Sequence, residues 1–371
     1  MTTRRPKHKF IFIAPGSETQ GGITAVVQNY KKTAFWRVNN CLEFSSTIDE
    51  TGFLYKLIYL LGRYPLFFIT LIIHRPAAIS IHTSYGNSFF RKTLYLLISR
   101  SLGVRAILHI HPASFYDFYA EGGSIRKRLI TMSLTLSDRV IFLSDEQRQQ
   151  FSNIIPKGKS FVMSNPVDIE KYDIWKNEWK KNKKQILYLG WIIPGKGVYD
   201  IVDAIPRILE SCSDAIFLFV GNKDIDNLRS YIASRGLENS AIVPGWVEGI
   251  EKINLLRTSR ILILPSYTEG VPNVILEAMA SHLPIITTPV GGIPSVIQDG
   301  HTGLFIEPGN PDDIAKAINT LLDDDNQCSE LADRAFDEVN KKYSLNVISQ
   351  KLTAIYEIYG TIPENEQPIQ P

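Results

Sequence analysis

The feature that most constrains this chain is an alternation of short apolar runs with stretches of helical period. Runs at 9–14, 78–82, 105–111, 139–143, 185–189, 215–220, 241–243, 261–264 and 284–288 are rich in β-branched and aromatic residues. Many, such as F-I-F-I-A and I-L-I-L, are apolar at consecutive positions, the pattern of a strand buried on both faces. Only a parallel sheet covered by helices buries strands that way. Helical patterns such as Tyr199–Glu210 and Asn273–Ser281 lie between the runs, which completes the α/β signature. These strands exceed what one sheet needs, and 371 residues is about twice a usual domain. Two doubly wound domains are therefore expected.

Apolar periodicity lapses and lysines accumulate across 164–184, as at a linker. The expected division is a first domain at 1–167, a linker at 168–184, a second domain at 185–345, and a C-terminal helix with a frayed tail at 346–371.

Composition narrows the class. Cys41, Cys212 and Cys328 stand far apart with no C-x-x-C, so neither a disulfide framework nor a zinc site is expected. The basic N-terminus is followed by only I-F-I-A before Pro15, too short for a signal peptide. The most apolar stretch, Tyr64–Ile73, covers about half of the roughly 20 residues a membrane span needs. The expected setting is the cytoplasm, with peripheral attachment to the inner face of the membrane.

The net charge of +2 conceals an asymmetry. Residues 1–180 carry 24 Lys and Arg against 13 Asp and Glu, and the rest of the chain is acidic. No acid stands between Glu50 and Asp117, whereas Lys56, Arg63, Arg75, Arg91, Lys92, Arg100 and Arg105 do. In F-F-R-K-T-L-Y-L-L-I-S-R-S-L-G (Phe89–Gly103) basic heads flank an apolar face, as on a helix lying in an anionic lipid interface. A core-facing helix with a solvated basic edge would read the same. No nucleic-acid motif accompanies the charge, and nucleic acid is not an expected partner.

In open α/β sheets ligands bind beyond the carboxyl ends of the strands, and four such loops stand out. After the first strand, Gly21 and Gly22 open a helix whose backbone N–H groups suit a phosphate; a plain structural turn is the competing reading. In L-H-I-H-P, His109 and His111 would face one side of a strand. A metal pair is conceivable, but no third ligand stands at plausible local spacing. A buried His109 beside an open His111 is more economical. In P-G-K-G, Lys196 is held between glycines at a strand's end, a partner for a diphosphate outside the Walker pattern. The fourth loop, T-E-G-V-P-N-V-I-L-E-A-M-A, places Glu269 ahead of a helix and Glu277 one turn into it. Pro272 sits where helices start, and the N–H groups of Gly270, Val271, Asn273 and Val274 point toward an anion. Dipole complementarity alone would account for either glutamate singly.

E-G-V-P-N-V-I-L-E-A-M-A has the E-x7-E spacing of retaining glycosyltransferases of family 4, and the remaining loops resemble that family in the same order. Ser164–Asp168 resembles its hinge, and Thr288–Gly309 the stretch after its helix. The resemblance covers nearly the whole chain and is weakest at 35–105. It implies the GT-B fold: two facing Rossmann-like doubly wound domains, a donor in the cleft, and a C-terminal helix crossing back to the first domain. It implies that Glu277 binds the donor ribose, Glu269 lies beside the transferred sugar, His111 contacts that sugar's hydroxyls and Lys196 holds the diphosphate. Asn222, Trp246 and Val247 would surround the base.

The implied activity is transfer of a sugar from a UDP- or GDP-sugar to a hydroxyl of a glycan or lipid-linked acceptor, with retention, in surface polysaccharide or glycolipid synthesis. No metal or other cofactor is expected. Asp224-Ile-Asp226 spells a metal motif of a different glycosyltransferase fold and reads here as solvated. One departure is Trp191, where the family usually has an arginine on the diphosphate. A nucleotide-sugar 2-epimerase, or a non-catalytic nucleotide-sugar-binding protein, is the alternative.

Overall fold

The structure is a computed structural model, and it describes residues 9–48, 52–173 and 184–357. The chain forms two units. Unit one comprises Met1–Pro166 with Leu345–Pro371, and unit two Val167–Ser344. Most of the segment read as a linker, 174–183, lies outside the described residues, as do the basic start at 1–8 and the tail read as frayed.

Unit one is built on six parallel strands: β1 (Phe10–Ala14), β2 (Leu42–Ser45), β3 (Ala78–Thr83), β4 (Arg105–Ile110), β5 (Arg139–Phe142) and β6 (Ser160–Val162), in the order β2-β1-β3-β4-β5-β6. Alternation along the strands sends side chains to two cores. Ile11, Ile13, Ile79, Ile81 and Leu108 enter one, with Phe67 and Leu71 from the Phe53–His74 helix and Leu96 from the Asn87–Ser101 helix. Phe10, Phe12, Ile107 and Ile141 enter the other, with Val26 and Tyr30 from the Gly22–Lys32 helix. The Leu345–Tyr356 helix closes that second layer through Ile348, Leu352 and Tyr356, whose ring stacks on Phe12 and meets Phe10 edge-on.

Unit two also carries six parallel strands: β7 (Gln185–Leu189), β8 (Ile216–Val220), β9 (Ala241–Gly245), β10 (Ile261–Leu264), β11 (Ile285–Thr287) and β12 (Leu304–Phe305). Their order is β12-β11-β10-β7-β8-β9. The chain winds outward from β7 to β9, returns to β10 beside β7 and winds the other way. That is the dinucleotide-fold order, and its switch point lies between β7 and β10. The expected α/β fold of two doubly wound Rossmann-like halves is therefore what the chain adopts.

The apolar stretch at Tyr64–Ile73 is the second half of a 22-residue helix with Pro65 inside it. Phe67 and Leu71 are buried, whereas Ile58, Leu61, Phe68, Ile69 and Ile72 are exposed. No helix among the described residues is long and apolar enough to cross a membrane. The Asn87–Ser101 helix faces the core through Phe89, Tyr95 and Leu96. Lys92 is fully buried, Arg91 is half-buried and Arg100 pairs with Asp138 at 2.7 Å, and the exposed face carries Phe90, Leu94 and Leu97.

Candidate active site

In unit two the switch point gathers two predicted residues. β7 ends at Leu189 and a 3₁₀ turn, Pro194–Lys196, follows; β10 ends at Leu264 and its loop carries Glu269. Lys196 Nζ donates to Glu269 Oε1 at 2.5 Å, and Ser266 Oγ donates to the same oxygen at 2.9 Å. Tyr267 N donates to Gly195 O at 3.1 Å, which ties the two loops together. Gly197 makes this approach possible: its φ is +70°, and a Cβ there would stand 2.2 Å from Pro265 O. A second close approach sets the far side of the loop. Gly292 N donates to Glu269 O at 3.3 Å, and a Cβ on Gly292 would stand 2.5 Å from Gly270 O. Gly197→Ala is expected to cost about 2–4 kcal/mol, combining left-handed strain with overpacking, and to separate Lys196 from Glu269. Chemical denaturation checks the first effect and turnover the second.

Pro272 precedes the Asn273–Ala280 helix as its cap residue in extended conformation and offers no side-chain cap of its own. Gly270, Val271, Asn273 and Val274 thus surround a helix start whose dipole favours an anion. Glu277 lies one turn in, buried, with Lys252 Nζ 2.7 Å from Oε1 and 2.6 Å from Oε2. Tyr172, on the neighbouring Ile169–Asp173 helix, has its hydroxyl pushed well above the usual range by burial and then by the Glu277 carboxylate beside it. Lys252 and Tyr172 carry no motif, and only the fold brings them to Glu277.

The loops after β7, β8 and β9 are laced by backbone bonds. Ile192 N donates to Asn222 O at 2.8 Å and Gly221 N to Gly245 O at 2.9 Å. Asn222 therefore borders the loop that carries Lys196, while Trp246 and Val247 follow the end of β9 beside the β8 loop, all partly exposed. Where the family arginine was expected, Trp191 is exposed, and Lys223 Nζ lies 5.3 Å from its ring centroid. Lys223 holds a positive φ of +91°. Of the D-x-D residues, Asp226 stands in solvent with Arg229 3.7 Å away.

Unit one holds the other predicted residues. Gly21 precedes the Gly22–Lys32 helix in extended conformation, and a Cβ there would meet nothing within 4 Å. Neither backbone nor packing requires glycine at that position. His109 and His111 do share one face, and the structure adds His82, their neighbour on β3, in register with His109. His82 Nδ1 and His111 Nε2 are 2.9 Å apart. His109 stacks on His111 with centroids 4.2 Å apart, and neither of its ring nitrogens has a hydrogen-bond partner among the described residues. Among the described residues these three form the one group of His, Cys, Asp and Glu with ligand atoms close enough to consider for a metal, all within 4.8 Å. Burial holds all three histidines neutral, His109 at about 3. His82 was legible as the last residue of the run at 78–82, but local spacing alone gave no reason to join it to His109.

Lys92 Nζ donates to His82 O from beneath this group. Burial lowers its pKa from 10.5 to about 7. Between those values the unfolded chain binds a proton that the folded chain does not, so stability rises with pH from about 7 to 10.5 and the cost is full below 7. Urea unfolding from pH 6 to 9 is expected to show this slope in the wild type and lose it in Lys92→Met.

Residues 170–338 match the family model described as Glycosyl transferases group 1. Among curated proteins the chain is similar to alpha-D-kanosaminyltransferase of Streptomyces kanamyceticus, 25% identical over 78% of this chain and 79% of that protein. It is also similar to the capsular polysaccharide biosynthesis glycosyltransferase CapM of Staphylococcus aureus, 22% identical over 66% of this chain and 62% of that one. Alignments with the first curated relatives span 60% to 79% of those proteins' lengths. Among solved structures, Anabaena HepE in complex with UDP superposes with a TM-score of 0.75 at 18% identity, over 94% of this chain and 100% of that one.

Proposed function

Because residues 170–338 match the group 1 glycosyl transferases, we propose that this chain is a retaining glycosyltransferase of family 4 that moves a sugar from a nucleotide diphosphate sugar to a hydroxyl. The observation that carries the reading is the Lys196–Glu269 pair at the β7/β10 switch point, beside the helix N-terminus that Pro272 opens. Doubly wound sheets bind nucleotides at such a point. A lysine and a helix start supply the positive potential a diphosphate needs.

In this reading Lys196 and the N–H groups of Gly270 and Val274 take the diphosphate, and Glu277 takes the ribose hydroxyls with its charge held by Lys252. Asn222, Trp246 and Val247 flank the base. Glu269 sits beside the transferred sugar. The bond from the anomeric carbon to the diphosphate oxygen breaks with its electron pair on the diphosphate, where Lys196 and the amides stabilise it without a metal. The acceptor hydroxyl then bonds through its oxygen to the same face of the sugar and gives up its proton to the departing diphosphate oxygen, while Glu269 opposes the sugar's positive charge. By the family resemblance His111 donates to a hydroxyl of that sugar, with Gly21 and Gly22 as further donor contacts. Lys223, over Trp191, supplies the cation that the missing arginine would have provided. A structural neighbour solved with UDP and with UDP-glucose supports a nucleotide-sugar donor.

The acceptor is a lipid-linked glycan of surface polysaccharide or glycolipid synthesis, reached by peripheral attachment to an anionic membrane from the cytoplasmic side. Leu61, Phe68 and Ile72 on one helix and Phe90, Leu94 and Leu97 on its neighbour leave apolar stripes exposed among basic residues. Leu61→Glu with Ile72→Glu is expected to reduce co-sedimentation with vesicles containing phosphatidylglycerol about tenfold while leaving donor binding unchanged. Binding that is indifferent to these changes would remove the membrane from the account.

The reading as a whole is tested by NMR analysis of the product from UDP- and GDP-sugar donors with soluble and lipid-linked acceptors. A product with the donor's anomeric configuration supports it. An inverted product, or donor epimerisation without transfer, contradicts it.

A further inference from the structure

His111 is 9% exposed, whereas His82 and His109 are fully enclosed, so of the three only His111 can meet a ligand. Its hydrogen-bonding character is decided behind it. Ala78, Ser80 and His82 alternate onto one face of β3, beneath the Leu345–Tyr356 helix. Tyr356 Oη donates to Ser80 Oγ at 2.6 Å. With one acceptor role filled, the Ser80 hydroxyl has its own proton to direct, and His82 Nε2 lies 3.2 Å away. If His82 accepts at Nε2, its neutral ring carries the proton at Nδ1, which lies 2.9 Å from His111 Nε2. That nitrogen is then an acceptor, and the proton of His111 is on Nδ1.

We propose that the buried chain Tyr356–Ser80–His82 holds His111 in its Nδ1–H tautomer, so that it meets its ligand as a neutral hydrogen-bond donor and not as a proton-transfer group. Tyr356, Ser80 and His82 are positioning residues, and the first comes from the C-terminal helix, 276 positions away from Ser80. The inference rests on the reading of His111 as a contact of the transferred sugar.

The surroundings agree. The groups facing the histidine pair are Lys92 from the Asn87–Ser101 helix, His109 from β4, and Tyr30 from the Gly22–Lys32 helix, whose ring contacts both His82 and His109. None is acidic, so no carboxylate stabilises an imidazolium, and burial with the neighbouring histidines and Lys92 disfavours one at both His82 and His111. A shared metal fits less well. The rings of His109 and His111 lie 29° from parallel at 4.2 Å, so their in-plane lone pairs run side by side instead of converging on one ion.

The test is the nitrogen-15 spectrum of histidine-labelled protein without donor. The expected result is His111 protonated at Nδ1 and unprotonated at Nε2, with no titration from pH 5.5 to 8. Ser80→Ala should give mixed tautomers and about tenfold lower kcat with donor KM changed less than twofold, and Ser80→Thr should restore both. Tyr356→Phe, which keeps the ring packing, should move the tautomer in the same direction. A wild-type Nε2–H tautomer, a His111 pKa near 6.5, or a tautomer unmoved in both Ser80→Ala and Tyr356→Phe would overturn the proposal. So would stoichiometric Co²⁺ binding with a ligand-field spectrum that His82→Gln abolishes. Adding donor separates the two readings: if the tautomer is as expected but His111 resonances do not respond to donor, the sugar contact fails and the relay stands.

Discussion

Replacing Glu269 by glutamine is expected to lower kcat by two to three orders of magnitude, about 3–4 kcal/mol in the barrier, while donor affinity holds or tightens. The split follows from the geometry. Glu269 accepts from Lys196 at 2.5 Å and from Ser266 at 2.9 Å, so in the free protein it competes with a diphosphate for the lysine. Neutralising it releases Lys196 to the ligand, and the ground state does not suffer. A sugar developing positive charge loses the opposing carboxylate, and the transition state does. Lys196→Ala should lose both kcat and affinity. Steady-state kinetics with varied donor distinguishes the two variants. Equal losses of kcat and affinity in Glu269→Gln would assign the glutamate to binding alone.

Lys252→Met is expected to destabilise the protein by about 3–5 kcal/mol, because it strands the Glu277 carboxylate in a buried site. Both partners are mostly enclosed, with side-chain exposures of 23% and 10%. Lys252→Met combined with Glu277→Leu should recover most of that stability, since an apolar pair of similar volume can replace a buried ion pair. It should not recover donor binding. Unfolding midpoints together with donor titrations of the single and double variants check both halves. A double variant that binds donor normally would reduce Glu277 to a structural role.

How far the sequence reaches can be judged from particular elements. β7 and β10 were readable to the residue, because a strand buried on both faces is apolar throughout. β2 (L-E-F-S) and β6 (S-F-V) lie at the sheet edges, and β12 is two residues long, so none has the composition of an interior strand. The Phe53–His74 helix was not read as one, and only its apolar stretch at 64–73 stood out. Gly62 and Pro65 punctuate it, and an apolar surface on its exposed side erases the helical period that burial of one face would have left.

The site divides in the same way. Lys196, Glu269 and Glu277 were legible because strand ends and a helix start fix where they stand. Lys252, Tyr172, Ser266 and His82 were not, because each acts through a contact that exists only once its own element has packed. His82 shows the limit most clearly: it lies 29 residues from His111, and only the pairing of β3 with β4 makes them neighbours.

The claim that the β7/β10 switch point binds a nucleotide diphosphate sugar is tested most directly by thermal unfolding with UDP-, GDP- and ADP-sugars. The measurement is made on the wild type, Lys196→Ala and Glu277→Ala, each referred to its own unliganded midpoint. At a hundred times its Kd, one donor class should stabilise the wild type by about 2.7 kcal/mol, and that gain should be lost in both variants. No stabilisation of the wild type by any donor, or equal gains in the wild type and Glu277→Ala, would contradict it.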